Sequence, residues 1–236
     1  MLIIGRPWTD YDRPPAPGWV RTDGGRIAEV GHGSPPPPAP GEEHLGHPDA
    51  VIVPGFTDAH LHLPQFHQRG VVSGDLLAWL RDAILPAEAR WADPAHARAE
   101  AEAALRGMLR AGTVRAAAFL SPHPAAIDAA HAAAARVPLD LLAGVPLMDR
   151  EAPPELLQPA GRPPEPATSL EHEGFRISVN PRFAVSCTEA MLAAAGRLAA
   201  AGTGRFMHTH LAEQPAECRR VALGDHPPRL GRGRHE

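Results

Sequence analysis

The chain has 236 residues, a formal net charge of −4 at pH 7, and no lysine. This length suffices for one sizeable core or a domain and a half, and the mild charge indicates neither a nucleic acid nor a membrane surface as partner. Two distant cysteines fit no ligand pair, and the N-terminus lacks the basic and apolar segments of a signal peptide, so a reduced, cytoplasmic protein is expected.

The first part of the chain predicts a small β unit. Short apolar segments lie at 2–4, 18–21 and 26–30, and Gly24-Gly25 between the last two predicts a hairpin. The four prolines at 35–38 then predict an exposed loop.

From residue 51 onward, predicted strands alternate with predicted helices. The strands are expected at 51–62, 113–120, 140–147, 175–179 and 204–211, and the helices at 95–111, 124–136 and 188–201. A proline-rich stretch at 150–170 predicts a long irregular loop.

Repeated βα units imply an α/β fold with a parallel sheet. A complete (β/α)8 barrel needs about 250 residues, so we predict a partial TIM-type barrel of about five βα units. The predicted domains are the small β unit at 1–53, the barrel part at 54–223 and an irregular tail at 224–236.

Two histidines end the first predicted barrel strand. His60 and His62 are spaced i, i+2, and alternate residues of a strand face the same side, so both imidazoles are expected to point one way, with Leu61 pointing the other. Two converging neutral imidazoles make half of a zinc site. Since most histidines lie in loops or on surfaces, the pair alone is weak evidence.

A second polar cluster ends the predicted strand at 204–211. His210 could meet His60 and His62 over one end of the sheet, because barrel enzymes place their chemistry at the carboxyl ends of strands. Glu213 follows one turn later, and a carboxyl beside a metal site is the usual general acid and base in metal-assisted hydrolysis.

These motifs resemble a known family. The run from Pro54 to His62, Pro-Gly-Phe-Thr-Asp-Ala-His-Leu-His, resembles the first-strand signature of the amidohydrolase superfamily. The segments 63–65 (Leu-Pro-Gln), 180–187 (Asn-Pro-Arg-Phe-Ala-Val-Ser-Cys) and 210–213 (His-Leu-Ala-Glu) are similar to those of its guanine deaminases, as is 75–80 with Pro86 and Glu88 following.

The resemblance implies a role for each matching residue. It implies one zinc ion bound by His60, His62 and His210, and proton transfer by Glu213. Gln65 and Arg182 would hold the polar edge of guanine, and Phe183 would pack near the ring. Hydroxide would then attack C2 of guanine, giving xanthine and ammonia. The family also tends toward homodimers.

Plainer interpretations of the same residues stay open. Arg182 is also compatible with a salt bridge, Gln65 with an ordinary loop amide, and Phe183 with core packing. The lack of lysine favours a one-metal deaminase, because many two-metal relatives bridge their metals with a carboxylated lysine. The His-X-Glu and Pro-Cys-X-X-Cys pattern of the cytidine-deaminase fold is absent.

The sequence departs from the family after about residue 225. A further histidine and an aspartate that complete the family's site have no counterpart in 228–236, so we expect a truncated or frameshifted product with weak zinc affinity and little activity. The alternatives are a related hydrolase acting on another purine, a pterin or a triazine, and a catalytically dead remnant that binds metal or pairs with an intact homologue.

Overall fold

The computed structural model describes residues 1–71, 74–202 and 206–222. It contains two compact units, Met1–Gly55 and Phe56–Glu236. The boundary at residue 53 stays a prediction, and the predicted tail at 224–236 lies outside the described residues. Within the described part of the chain, no helix is long and apolar enough to cross a membrane.

The first unit is a four-stranded sheet with the order β3-β2-β1-β4. Its strands are β1 (Leu2–Pro7), β2 (Gly18–Asp23), β3 (Arg26–His32) and β4 (His44–Ile52). β2 and β3 pair antiparallel, and β4 pairs parallel with β1.

The predicted hairpin between β2 and β3 is confirmed. Gly24 and Gly25 both have positive φ, +54° and +75°, a conformation that glycine adopts at little steric cost. β4 was not predicted, because Gly46 and Pro48 break the alternation that marks a strand.

The second unit is built on a parallel sheet with the order β5-β6-β7-β9. Its strands are β5 (Phe56–His62), β6 (Thr113–Phe119), β7 (Asp140–Gly144) and β9 (Phe175–Ile177); the short strands β8 (Pro146–Leu147) and β10 (Asn180–Pro181) form a separate parallel pair. The fold is therefore α/β with a parallel sheet, which does not close into a barrel among the described residues.

The three helices predicted at 95–111, 124–136 and 188–201 are all present in the described part of this unit, together with three shorter ones. They are α1 (Leu76–Trp79), α2 (Leu85–Ala89), α3 (Pro94–Arg110), α4 (Pro124–Ala134), α5 (Glu189–Ala200) and α6 (Pro215–Ala222). Asp93 caps α3 by accepting a hydrogen bond from the amide of Ala95, and Thr188 caps α5 in the same way from Met191.

Several short elements escaped prediction. α1 and α2 are joined by a π-helical turn at Leu80–Ile84, and 3-10 turns occupy Leu63–Gln68 and Arg90–Ala92. The 150–170 loop is irregular apart from two 3-10 turns, Pro154–Leu156 and Thr168–Leu170.

The core between this sheet and its helices is rich in alanine. Ala101 and Ala104 on α3 and Ala116 and Ala118 on β6 are at most 1% exposed, and Leu105 packs among them. Small side chains let the helices lie close to the strands of the sheet.

The predicted strand at 204–211 is wrong for the residues that the structure describes, which begin at Phe206. Only an isolated parallel bridge joins Met207 to Val179. Three backbone hydrogen bonds connect residues 206–210 with 179–182, so the segment follows the expected path without becoming a regular strand. Phe206, Met207 and Leu211 are exposed, and little apolar burial supports a longer pairing.

Candidate active site

The carboxyl end of β5 carries two histidines on one side. His60 and His62 have ring centroids 5.6 Å apart, while Leu61 between them packs against the hydrophobic core. The strand alternation predicted from the sequence therefore gives this local arrangement.

His210 approaches the same point from the segment after the Met207 bridge. One ligand atom from each of His60, His62 and His210 can be chosen such that all lie within 4.8 Å of one another. The Nε2 atoms of His62 and His210 are 2.9 Å apart. The prediction that His210 ends a regular strand is wrong, but the single bridge and its hydrogen bonds suffice to bring the ring to β5.

Each of the three rings has its Nδ1 atom turned toward another group. Nδ1 of His60 lies 2.7 Å from Nε2 of His208, and Nδ1 of His210 lies 2.7 Å from the carbonyl oxygen of Arg182. Nδ1 of His62 is 3.6 Å from a carboxylate oxygen of Glu88. A ring nitrogen facing an acceptor carries the proton, so in His210 the lone pair is on Nε2, the atom left for a metal.

Burial lowers the pKa of three histidines at this site. Desolvation lowers the pKa of His62 to about 4, that of His210 to about 3 and that of His208 to about 4. Below His62 lies the buried ring of Phe119, stacked at 4.7 Å between centroids. Neutral imidazole is the form that binds metal, and it is also the form that tolerates an apolar surface.

His208 and Phe119 also belong to this cluster and were not predicted. His208 stands two residues before His210, which is the same spacing as in His60 and His62, so this repeated spacing was a usable signal. Phe119 ends β6, the neighbour of β5, and only the sheet order shows that its ring lies under the histidines.

All seven predicted site residues line one cavity of about 260 Å³. Besides the three histidines, they are Gln65, Arg182, Phe183 and Glu213. Leu76, Trp79 and Leu80 from the helical segment after β5 complete the wall, so the cavity is bounded by apolar groups on that side. A concave, largely apolar cavity with a few polar groups is the usual form of a small-molecule site.

Arg182 and Gln65 meet at the carboxylate of Glu88, which the sequence marked only as part of a segment that resembles the family. Glu88, on α2, accepts a hydrogen bond from Nε2 of Gln65 at 3.0 Å and from Nη1 of Arg182 at 2.5 Å. Arg182 is 3% exposed and Glu88 is fully buried. Arg182 therefore forms the salt bridge that the sequence left open, and it also lies on the cavity wall.

Glu88 is ionised despite its burial. Burial alone would raise the pKa of this carboxyl, but the charge of Arg182 and the polar contacts with His62 and Arg182 outweigh that effect and lower the pKa to about 2. In the sequence, Glu88 was marked by its place after Pro86 in the segment that resembles the family, but nothing there indicated its contacts with Gln65 and Arg182.

The pKa of Glu213 is shifted in the opposite direction to that of Glu88. Desolvation of its carboxyl, and then the negative charge of Glu217, raise its pKa above the usual range. Its backbone amide donates to Glu217 at 2.7 Å, and the next residue, Gln214, accepts from the amide of Leu76 at 2.9 Å. These bonds tie the segment carrying His210 and Glu213 to α6 and α1.

The comparisons with known proteins identify the family of this chain. The model of the amidohydrolase family matches residues 51–227, and the chain belongs to this family. It is 35% identical to the guanine deaminase of Escherichia coli over 172 residues, covering 71% of this chain and 39% of that protein. It is 38% identical to a probable guanine deaminase of Deinococcus radiodurans over 153 residues, covering 63% of this chain and 35% of that protein.

A solved structure gives the same result at the level of the fold. The crystal structure of guanine deaminase from Bradyrhizobium japonicum is similar with a TM-score of 0.77 at 26% identity, over 94% of this chain and 52% of that one. The chain thus spans less than two fifths of the length of the two curated relatives and about half of the solved one.

Proposed function

We propose that this chain carries the metal-binding and purine-binding part of a guanine deaminase site. The observation that supports it most directly is that His60, His62 and His210 share one cavity with Gln65, Arg182, Phe183 and Glu213. The reaction would convert guanine and water into xanthine and ammonia.

The histidines fit a zinc ion. Zinc is typically held by imidazole nitrogens at about 2.0–2.1 Å, and nitrogens bound tetrahedrally to one ion lie roughly 3.3 Å apart. The 2.9 Å between Nε2 of His62 and Nε2 of His210 needs only a small opening, and both rings are neutral at pH 7. Zinc bound there would supply Lewis acidity and make hydroxide available near pH 7.

The other residues bind and orient the purine. The Arg182 guanidinium and the Gln65 amide donate hydrogen bonds to the polar edge of guanine, and the ring of Phe183 packs against the base. Phe183 is 6% exposed and its centroid is 6.4 Å from that of His210, so a base beside it would lie next to the metal site.

Glu213 moves the protons. Its raised pKa suits a carboxyl that alternately takes and gives a proton. It would deliver a proton to the ring nitrogen next to C2 and later assist loss of the amino group as ammonia. The new C2–O bond replaces the C2–N bond, so the atoms of guanine and water balance those of xanthine and ammonia.

We also propose that this chain alone binds zinc weakly and turns over slowly. The metal-ligand group found among the described residues has three members, all histidines. A zinc site with three protein ligands keeps an open position, and three neutral ligands leave the charge of the ion uncompensated.

One sample tests the proposal. Zinc content, affinity for guanine and release of ammonia are measured on the same purified chain, with adenine, a pterin and a triazine as competing substrates. We expect one zinc ion per chain, guanine bound in preference to the other three, and xanthine formed slowly. Preference for another substrate would support a different hydrolase of the family. Binding of zinc without binding or turnover of any of the four substrates would support a catalytically dead remnant.

A further inference from the structure

Glu88 connects the two halves of the proposed site. One of its carboxylate oxygens accepts from Gln65 and the other accepts from Arg182, so both oxygens are used on residues that line the cavity. The oxygen bonded to Gln65 also lies 3.6 Å from Nδ1 of His62. Glu88 itself does not line that cavity.

The backbone around Glu88 is fixed as well. The hydroxyl of Ser121, just beyond β6, donates to the carbonyl oxygen of Glu88 at 2.9 Å, and Ser121 is fully buried. Glu88 therefore holds its position through both its side chain and its main chain. A carboxylate held this firmly can set the direction of flexible side chains that bond to it.

Charge gives a second reason for a carboxylate at this position. The guanidinium of Arg182 contacts the carboxylate that also faces Nδ1 of His62, and the backbone carbonyl oxygen of Arg182 lies 2.7 Å from Nδ1 of His210. A buried guanidinium beside a zinc ion would repel it unless a nearby anion compensated the charge. Glu88 is the carboxylate in direct contact with Arg182.

We propose that Glu88 is a positioning residue that aims Gln65 and Arg182 at the purine and, through His62 and the charge of Arg182, links purine binding to metal binding. This inference rests on the proposed function for the purine half, and on the metal site alone for the other half. Glu88 touches neither ligand. Its effect passes through Gln65, Arg182 and His62.

The test is a double-mutant cycle read out by binding. Glu88→Gln keeps the shape of the side chain, but its amide can accept from only one of Gln65 and Arg182. We expect guanine affinity of the zinc-loaded chain to fall about 10- to 100-fold, the range typical of residues that orient a site. Glu102→Gln, which breaks a surface pair with Arg106, is the matched control and leaves guanine affinity unchanged.

The cycle separates positioning from a general loss of structure. If Glu88 acts through Gln65, the variant Gln65→Ala combined with Glu88→Gln binds guanine more tightly than the product of the two single losses predicts. Losses that multiply, or wild-type affinity in a folded Glu88→Gln, would overturn the proposal for the purine half.

A second variant guards against misfolding. Glu88→Asp keeps the negative charge beside Arg182, but the shorter side chain cannot hold both partners. We expect the unfolding temperature of this variant to lie within a few degrees of that of wild type. We expect its guanine affinity still to fall. Equal affinity in Glu88→Asp and wild type contradicts the proposal.

Zinc affinity distinguishes failure of this inference from failure of the proposed function. Competition with a chelator, without any purine, should show zinc bound about 10-fold more weakly by Glu88→Gln. If wild type binds zinc but no guanine, the proposed substrate is wrong while this measurement still decides the link to the metal. Unchanged zinc affinity overturns that link.

Discussion

The metal side and the purine side of the cavity are built in opposite ways. On the metal side, the ring of the exposed His60 meets that of the part-buried His210, and His210 comes from a segment with a single β-bridge. On the purine side, Arg182 and Glu88 form a buried ion pair. The metal side is thus held by hydrogen bonds and ring contacts, whereas the purine side is held by a buried ion pair.

The largest expected effect is loss of zinc on removal of one metal-side ring. His62→Ala deletes one of the three proposed ligands. Mutation of a residue that only contacts a metal ligand typically lowers metal affinity about 10- to 100-fold, so we expect loss of a ligand itself to lower zinc affinity by more than about 100-fold. Equilibrium dialysis or chelator competition measures it. His67→Ala, an exposed histidine on the same 3-10 turn that follows β5, should bind zinc like wild type. Equal losses in both variants would contradict a specific site.

The purine side should show its strength in stability. Arg182→Met removes the guanidinium and leaves Glu88 as an uncompensated buried charge, which costs about 3–5 kcal/mol of the free energy of unfolding. Urea-induced unfolding of the metal-free chain measures this cost. Arg106→Met at the surface pair with Glu102 should cost about 0–1 kcal/mol.

A double variant completes this experiment. Arg182→Met combined with Glu88→Met replaces the ion pair by apolar groups, and most of the lost stability should return. If the double variant is as unstable as Arg182→Met, the loss arises from packing and not from the stranded carboxylate.

Acid should separate the two sides by pH window. His62 is neutral in the folded chain, with a pKa of about 4, whereas the unfolded chain binds a proton below about 6.5. Stability of the metal-free chain therefore falls as the pH drops from 6.5 to 4, by roughly 3 kcal/mol for this group. Glu88 has its folded pKa lowered to about 2, so its contribution is present above about 4.5 and is lost between 4.5 and 2.

Two variants assign these windows. His62→Gln should reduce the loss between pH 6.5 and 4 by the share of His62, because His208 and His210 also have lowered pKa values and lose stability in this window, and Glu88→Gln should reduce the loss below 4.5. Unfolding in urea at a series of pH values measures both. A loss above pH 4.5 that persists unchanged in His62→Gln would show that other groups dominate the metal side.

The sequence predicted the metal side better than the purine side, for a physical reason. His60 and His62 are placed by strand alternation, a local rule, and α3 was predicted because its run is rich in Ala, Glu, Arg and Leu and is closed by Gly112. Arg182 and Gln65 were placed on the cavity by resemblance, and the roles of all seven site residues stay predictions.

The pairing partner of Arg182 could not be found in the same way. Glu88 is 94 residues away along the chain, on a short helix without strong periodicity, and only the fold brings the two together. The strand at 204–211 failed for the converse reason. Its residues favour a strand locally, but the described part, from Phe206 on, leaves its apolar side chains exposed.

The smallest expected effect concerns the hydrogen bonds that hold the metal-side segment. Gln214 accepts from the amide of Leu76 at 2.9 Å and donates to the carbonyl oxygen of Gly74 at 3.3 Å, which ties the segment of His210 and Glu213 to the start of α1. Gln214→Ala removes both bonds, at a net cost of about 0.5–1.5 kcal/mol each. Because no regular strand holds His210, part of this cost should appear in metal binding, as a several-fold loss of zinc affinity. Gln68→Ala, in the 3-10 turn after β5, is the control and should leave zinc affinity unchanged. Wild-type zinc affinity in Gln214→Ala would show that the bridge at Met207 alone positions His210, and that the two sides differ less than their secondary structure indicates.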